Sequence, residues 1–215
     1  MLVTNMLILS PSHGQTSTFF SSLGYNPIGI TSISSDSWVG QLFYTGTNAS
    51  GYLLDSIQLR MENQLGNPAG FSLSIYGDAN LPRTLQPGGN LQLLTGPNPT
   101  SAGVYTFTSS GLILTPTTAY YLVATSLNPA ANGSFRWDYT TDQPQGGLEY
   151  MSTGTGFAYS SDGVSWQFSR QHYFQFAINA TAVPEPSSLV LLGLGGSFLF
   201  TRLARKSRAK TLSQP

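Results

Sequence analysis

The chain has no cysteine, and only 8% of its residues are Asp, Glu, Lys or Arg, against about 25% in an average soluble protein. Without thiols there are no disulfides, no thiolate metal sites and no cysteine nucleophile. Export stays open, because a chain of this length can bury enough apolar surface to stand without covalent staples. Scarce charge can mark disorder, but disordered chains are poor in aromatics as well, and here aromatics make up 12%. The chain is expected to fold. Histidine is nearly missing too. His13 and His172 are the only two, so nothing assembles a transition-metal site, and no metal or cofactor is expected.

Other absences narrow the chemistry. There is no G-x-S-x-G, and the glycine-rich stretches do not open helices, so neither acyl transfer nor phosphate cradling is signalled. Most of the acids in the body sit beside turns, where Asp is a turn former, and no pair of them falls in a glycosidase-like signature. Ser160-Ser161-Asp162-Gly163-Val164-Ser165-Trp166 approaches the Asp-box of propellers, but its glycine and tryptophan come one position early and it occurs once. No catalytic residue is expected, and the chain does not read as an enzyme.

The formal net charge of zero hides an asymmetry. Before residue 184 stand eight acids and four arginines, a net −4; after it stand Glu185 and five bases, a net +4. A mildly acidic body with scattered arginines offers no footprint for a polyanion, so nucleic acid is not an expected partner.

What is present is period-two alternation from about Thr31 to Ala180. Ile57, Leu59 and Met61 share one face in SIQLRM, as do Phe71, Leu73 and Ile75 in FSLSIY. SFRWDYT repeats the pattern with Phe135, Trp137 and Tyr139, and YFQFAI with Phe174, Phe176 and Ile178. WVGQLFYT, LQLL, VYTFT, AYYLVAT, FAYS and VSWQF are further strand candidates. GNPAG, PGGN, GPNPTSAG, NPAANG and QPQGG read as turns between them. Asp162-Gly163 is expected at the tip of a tight type I′ hairpin. No window carries a helical apolar stripe. The fold class is therefore all-β: a two-sheet antiparallel sandwich or jelly roll over residues 31–180, followed by one C-terminal hydrophobic helix. The two apolar sets at 57–61 and 71–75 should point into one inter-sheet core, with Gln58, Arg60, Ser72 and Ser74 outside.

Residues 1–30 form an N-terminal arm. Its apolar stretch Leu2–Leu9 lacks a preceding basic residue, and it reads as the back half of a signal peptide or as a frayed arm or first strand. Trp137 and Tyr139, like Tyr120-Tyr121, could stack on sugar rings if exposed; alternating aromatics in strands more often form core. Asp78 and Asn80 resemble a fragment of a calcium site, though a lone D-x-N is not an oxygen cage.

At residues 181–215 the composition changes. Pro184-Glu185-Pro186 forces an exposed, extended segment. An apolar helix is expected over 188–204, with the uncharged run Leu189–Phe200 at its centre. A basic cluster over 202–210 follows, with Arg202, Arg205, Lys206, Arg208 and Lys210. At 1.5 Å per residue the uncharged run covers roughly 18 Å of a bilayer core about 30 Å thick. Flanking residues and a snorkelling Arg202 bring it near to spanning. The basic cluster keeps the far end cytoplasmic and places the body outside.

In motif, length and order, residues 183–210 resemble the PEP-CTERM sorting signal. The resemblance implies a Gram-negative, exopolysaccharide-making host and a partner, the membrane-bound exosortase, that reads the tail. It implies export, transient residence in the inner membrane and delivery to the cell surface or outside. The body resembles the choice-of-anchor R domain through SISSDSWVGQLFYTG, GFSLSIYGDAN, LTPTTAYYLVAT and YFQFAIN, a domain type that implies no particular activity. The expectation is a non-enzymatic surface or matrix protein associated with exopolysaccharide and biofilm. The alternative is a carbohydrate-binding module that holds exopolysaccharide.

Overall fold

A computed structural model describes residues 17–79, 86–142, 145–146, 156–170 and 172–184. By internal contacts the chain divides into two compact units, Met1–Val183 and Pro184–Pro215. Among its described residues the first has fifteen strands: β1 (Ser17–Ser21), β2 (Gly29–Ile33), β3 (Trp38–Tyr44), β4 (Tyr52–Gly66), β5 (Ser72–Asp78), β6 (Pro87–Leu93), β7 (Gly103–Thr108), β8 (Ile113–Leu114), β9 (Ala119–Thr125), β10 (Gly133–Thr140), β11 (Gln145–Gly146), β12 (Phe157–Ser160), β13 (Gln167–Ser169), β14 (Tyr173–Phe174) and β15 (Phe176–Ala182). Among the described residues the one helical turn is a 3-10 turn at Ala130–Asn132.

All strand pairs are antiparallel, and they make two sheets. The nine-stranded sheet runs β11-β1-β15-β4-β10-β14, with β2 on β10 and with β7 and β8 on β4. The six-stranded sheet runs β13-β12-β3-β9-β5-β6. The fold is the antiparallel sandwich that the alternation implies. Ile57, Leu59, Met61, Leu73 and Ile75 are all buried in one inter-sheet cluster, with Phe71 packed against it. Each such side chain contributes about 1.5–3 kcal/mol by leaving water. This core is what holds a cysteine-free chain together.

The six-stranded sheet is apolar on its other face as well. AYYLVAT is a continuous apolar run, the pattern of a strand covered on both sides, and Tyr120 to Ala124 are all buried. Val39 to Phe43 of β3 are buried likewise. A second cluster of Leu42, Tyr121, Val123, Ala158 and Trp166 lies on the outer face. Trp38 meets Trp166 edge-on at 6.5 Å, and Pro87 and Trp166 both close over Gly40. Ser74, expected outside, is only 5% exposed for this reason.

Four local expectations are corrected. The sheet begins at Ser17 rather than at residue 31: β1 pairs with β15 and inserts Phe20 into the core. The last strand runs to Ala182. PGGN is not a turn but the start of β6, with Pro87 at the first position that an edge strand tolerates. A Cβ on Gly88 would come within 2.9 Å of the Asp78–Ala79 backbone, so only glycine lets β6 approach β5 there. Finally, Asp162-Gly163 is not a two-residue turn. β12 and β13 are joined by Ser161–Trp166, and Gly163 alone takes a positive φ, +73°. The Asp162 carboxylate accepts from the Val164 and Ser165 N–H groups at 2.8 and 2.7 Å. These bonds hold its carboxyl well below the usual range and stabilise a wider loop that carries Trp166 onto the outer face.

Candidate functional site

Three strand ends of the six-stranded sheet meet on its outer face. Tyr44 pairs with Ala119 and Leu42 with Tyr121; Tyr121 pairs in turn with Tyr76, and Tyr120 with Gly77. Directly opposed residues share a face. Tyr44, Ala119 and Asp78, the residue after Gly77, therefore stand in one row across three strands, with Leu42, Tyr121 and Tyr76 in the row behind. A methyl group between a phenol and a carboxylate leaves a gap. That gap is an open recess of about 560 Å³, walled by Tyr44 and by Gly77-Asp78, floored by Ala119 and closed at one end by Thr115, Thr117 and Thr118. Its volume is within the ~300–1,000 Å³ of small-molecule pockets.

The end wall is a tight turn. Pro116 precedes Thr117, whose φ of +48° is the only positive value at a non-glycine among the described residues. Type II turns place proline and then a positive φ in this order, usually with glycine second. The turn is held by Thr45, just past β3. Its hydroxyl donates to the Thr115 carbonyl at 2.5 Å and accepts from the Thr118 N–H at 2.8 Å. The Thr117 N–H donates to the Gly46 carbonyl at 2.8 Å, and Thr115 Oγ1 donates to Thr118 Oγ1 at 2.9 Å.

Two polar atoms at or beneath this corner lack partners among the described residues. Asp78 Oδ1 and the Tyr121 hydroxyl are buried without a hydrogen bond among the described residues. An orphaned buried polar group costs about 1–3 kcal/mol, and most buried groups in native proteins are paired. Burial, then the charge of Asp78, then Tyr44, push the Tyr121 hydroxyl far above its ordinary value. Burial followed by Asp78 raises Tyr44 as well. Among the described residues the recess thus presents one carboxylate acceptor, a phenol and threonine hydroxyls, and no cationic side chain.

The residues expected as sugar platforms stand elsewhere. Trp137 is 0% exposed, stacked on Phe174 at 4.6 Å, with its indole N–H donating to the Gln175 carbonyl at 2.9 Å. Neither of its faces is open to a ligand, so the stacking role does not hold for it. Tyr139 is half-buried against the core, and His172 stacks on it at 3.9 Å. Phe157 covers the other side of His172 at 4.2 Å. Of the D-x-N fragment, Asp78 lines the recess, and Asn80 lies outside the described residues. Among the described residues no group of three or more His, Cys, Asp or Glu could hold a metal ion. Asp138 and Glu62 are close enough to interact, but Arg60, 3.4 Å from Asp138, and Arg136 share their surroundings.

Sequence reasoning missed the recess. Tyr44, Asp78 and Thr117 are far apart in the chain, and only the strand order β3-β9-β5 brings them together.

Of the expected sorting motif, Pro184 is described and exposed. Glu185, Pro186, the expected helix at 188–204 and the basic residues Arg202, Arg205, Lys206, Arg208 and Lys210 lie outside the described residues, as does the arm over residues 1–16. Among the described residues no helix is long and apolar enough to cross a membrane. No curated protein matches the chain. Residues 182–208 do match a family model, the PEP-CTERM protein-sorting motif; the chain carries that sorting signal.

Proposed function

We propose that this chain is a non-enzymatic surface or matrix protein, exported and delivered by its C-terminal signal. An exosortase-type enzyme cuts it near Pro184–Pro186 after the segment at 188–204 has held it in the inner membrane. The observation that carries the reading is the match over 182–208, which begins where the sandwich stops. β15 ends at Ala182, the Val183 N–H makes a last bond to the Gly51 carbonyl at 3.0 Å, and Pro184 is exposed. A processing enzyme that reads the motif from Pro184 onward meets it after the last described strand has ended. An uncharged run shorter than a bilayer core also suits a removable tail better than a lasting anchor.

Mass spectrometry of the surface-exposed protein tests this. The expected mature form ends close to Pro184, and Glu185→Ala leaves the full-length form in the inner membrane. A surface form that retains Pro215 would mean a permanent anchor and end the processing proposal.

A second reading, a carbohydrate-binding module that holds exopolysaccharide, is supported by the recess beside Tyr44 rather than by Trp137. The body's resemblance to the choice-of-anchor R domain remains part of this proposal and adds no activity to it.

A further inference from the structure

We infer that the recess between Tyr44 and Asp78 binds a neutral saccharide unit. The inference rests on the carbohydrate-binding reading, names its site and ligand class, and does not depend on processing of the tail.

Four observations converge on it. The first is the carboxylate. Asp78 lines the recess, and its Oδ1 has no hydrogen-bond donor among the described residues. A ligand rich in hydroxyl groups donates to such a carboxylate, and hydrogen bonds to a charged acceptor are the stronger ones. The second is the wall chemistry. Tyr44 is partly buried and packs against the outer apolar cluster, so it gives an aromatic surface backed by rigid strands, opposite the carboxylate. One apolar wall with a few convergent polar groups is the make-up of a small-molecule site.

The third is charge. Among the described residues the lining includes Asp78 and no Lys, Arg or His. A uronic acid or a phosphate would meet like charge without compensation, which costs affinity and gives discrimination. A divalent cation such as calcium takes about 6–8 oxygen ligands, and the described lining holds a single carboxylate. The fourth is preorganisation. Thr117 is β-branched and stands at φ +48°, where such residues are outliers. It keeps that conformation because Thr45 and Gly46 clamp its turn. Strain that the surrounding structure over-determines is characteristic of ligand clamps, and a fixed wall reduces the ordering cost of binding.

The test uses the full chain in a detergent without sugar headgroups, probed with neutral gluco-, manno- and galacto-oligosaccharides, with uronic-acid oligomers and with Ca²⁺ alone. Wild type is expected to bind at least one neutral oligosaccharide and to prefer it over the uronates. Asp78→Ala and Ala119→Leu, the latter filling the floor, are expected to weaken binding about tenfold or more. Thr117→Gly is expected to weaken binding while leaving the melting temperature unchanged or higher, since glycine relieves the positive φ. Asp78→Asn is expected to reduce the discrimination against uronates, a change that a purely structural role of Asp78 does not produce. Melting curves establish that each variant is folded, and Tyr44→Ala replaces Ala119→Leu if the latter does not fold.

Wild type that binds neutral saccharides, with these variants binding equally well, would place sugar binding elsewhere and remove the recess as its site. Wild type that binds no neutral saccharide would overturn both the site and the carbohydrate reading. A preference for uronates, or binding of Ca²⁺ alone, would overturn the ligand class.

Discussion

Trp137 and Asp138 are neighbours on β10 with opposite fates. Trp137 faces the inter-sheet core, where it is the largest fully buried side chain among the described residues, and its one polar atom is satisfied by Gln175. Trp137→Ala is expected to cost about 3–5 kcal/mol by chemical denaturation; an unchanged midpoint would contradict the core assignment. Asp138 faces the other way, yet it is 2% exposed. Burial, reinforced by Glu62, outweighs Arg60 and Arg136 and pushes its carboxyl up to about 6. Arg60 compensates poorly because its own side chain is 38% exposed and hydrated. The folded protein thus keeps this proton up to about pH 6, whereas the unfolded chain loses it near 3.8. Between those values the folded state binds more protons, so the contribution is fully present below the lower value and is lost as pH rises through the upper one. His172 has the opposite sign: burial lowers its pKa from 6.5, and its contribution is lost as pH falls below that value. Comparison with Asp138→Asn cancels His172. The melting temperature of wild type minus that of the variant is expected to rise as pH is lowered from neutral to about 4. A difference that stays flat with pH would show that Asp138 is ionised throughout.

At the scale of elements, two glutamines do what the alternation of apolar residues cannot. Gln41 sits between Val39 and Phe43 on the inward face of β3, fully buried. Its Oε1 accepts from the Phe174 N–H at 2.9 Å, and its Nε2 donates to the Gly156 carbonyl at 3.1 Å. It thereby ties the six-stranded sheet to β14 in the other. Gln175 separates β14 from β15. Its N–H donates to the Asp138 carbonyl at 2.8 Å, and its carbonyl accepts from the Arg60 N–H at 3.1 Å. Gln41→Leu keeps the volume but orphans Phe174 N–H and Gly156 C=O, and is expected to cost about 1–3 kcal/mol per group. Hydrogen exchange at Phe174 should accelerate in the same variant; unchanged stability and exchange would mean that water replaces the side chain. β4, β5 and β10 are legible in the sequence because one face alternates with the other. β1, β2, β8 and β11 are not, since each is short and exists as a strand only through its pairing partner; YFQFAI reads as one strand, which the structure divides at Gln175 into β14 and β15. The loop over Asp162 was misread for a related reason. Asp-Gly is compatible with several turns, and the side-chain bonds of Asp162 to Val164 and Ser165 select the wider one.

For the whole molecule, the division at Val183/Pro184 separates a body whose hydrogen bonds close on themselves from a segment that carries a delivery signal. A chain that stops at Val183 retains all fifteen strands and the last bond to Gly51. It is expected to unfold cooperatively in buffer without detergent, by circular dichroism, and to be lost from the surface fraction of cells. Failure of this shortened chain to fold would mean that the body needs the residues after 183.

The sorting signal was legible in the sequence alone because a processing enzyme and a bilayer read local order: two prolines around Glu185, an uncharged run, then five bases. The all-β class was legible because side chains alternate with a period of two wherever one face is buried. Which strands become neighbours was not, since pairing joins residues tens of positions apart, and Ile57 sets no preference between Phe107 and Ile178, both of which it meets. The two faces of AYYLVAT are equally apolar, so the sequence could not assign Tyr120 to the inner cluster and Tyr121 to the outer one. The tertiary structure decided that, and with it that Tyr44, Ala119 and Asp78 share a row and leave a recess, because only the β3-β9-β5 order sets a methyl group between a phenol and a carboxylate.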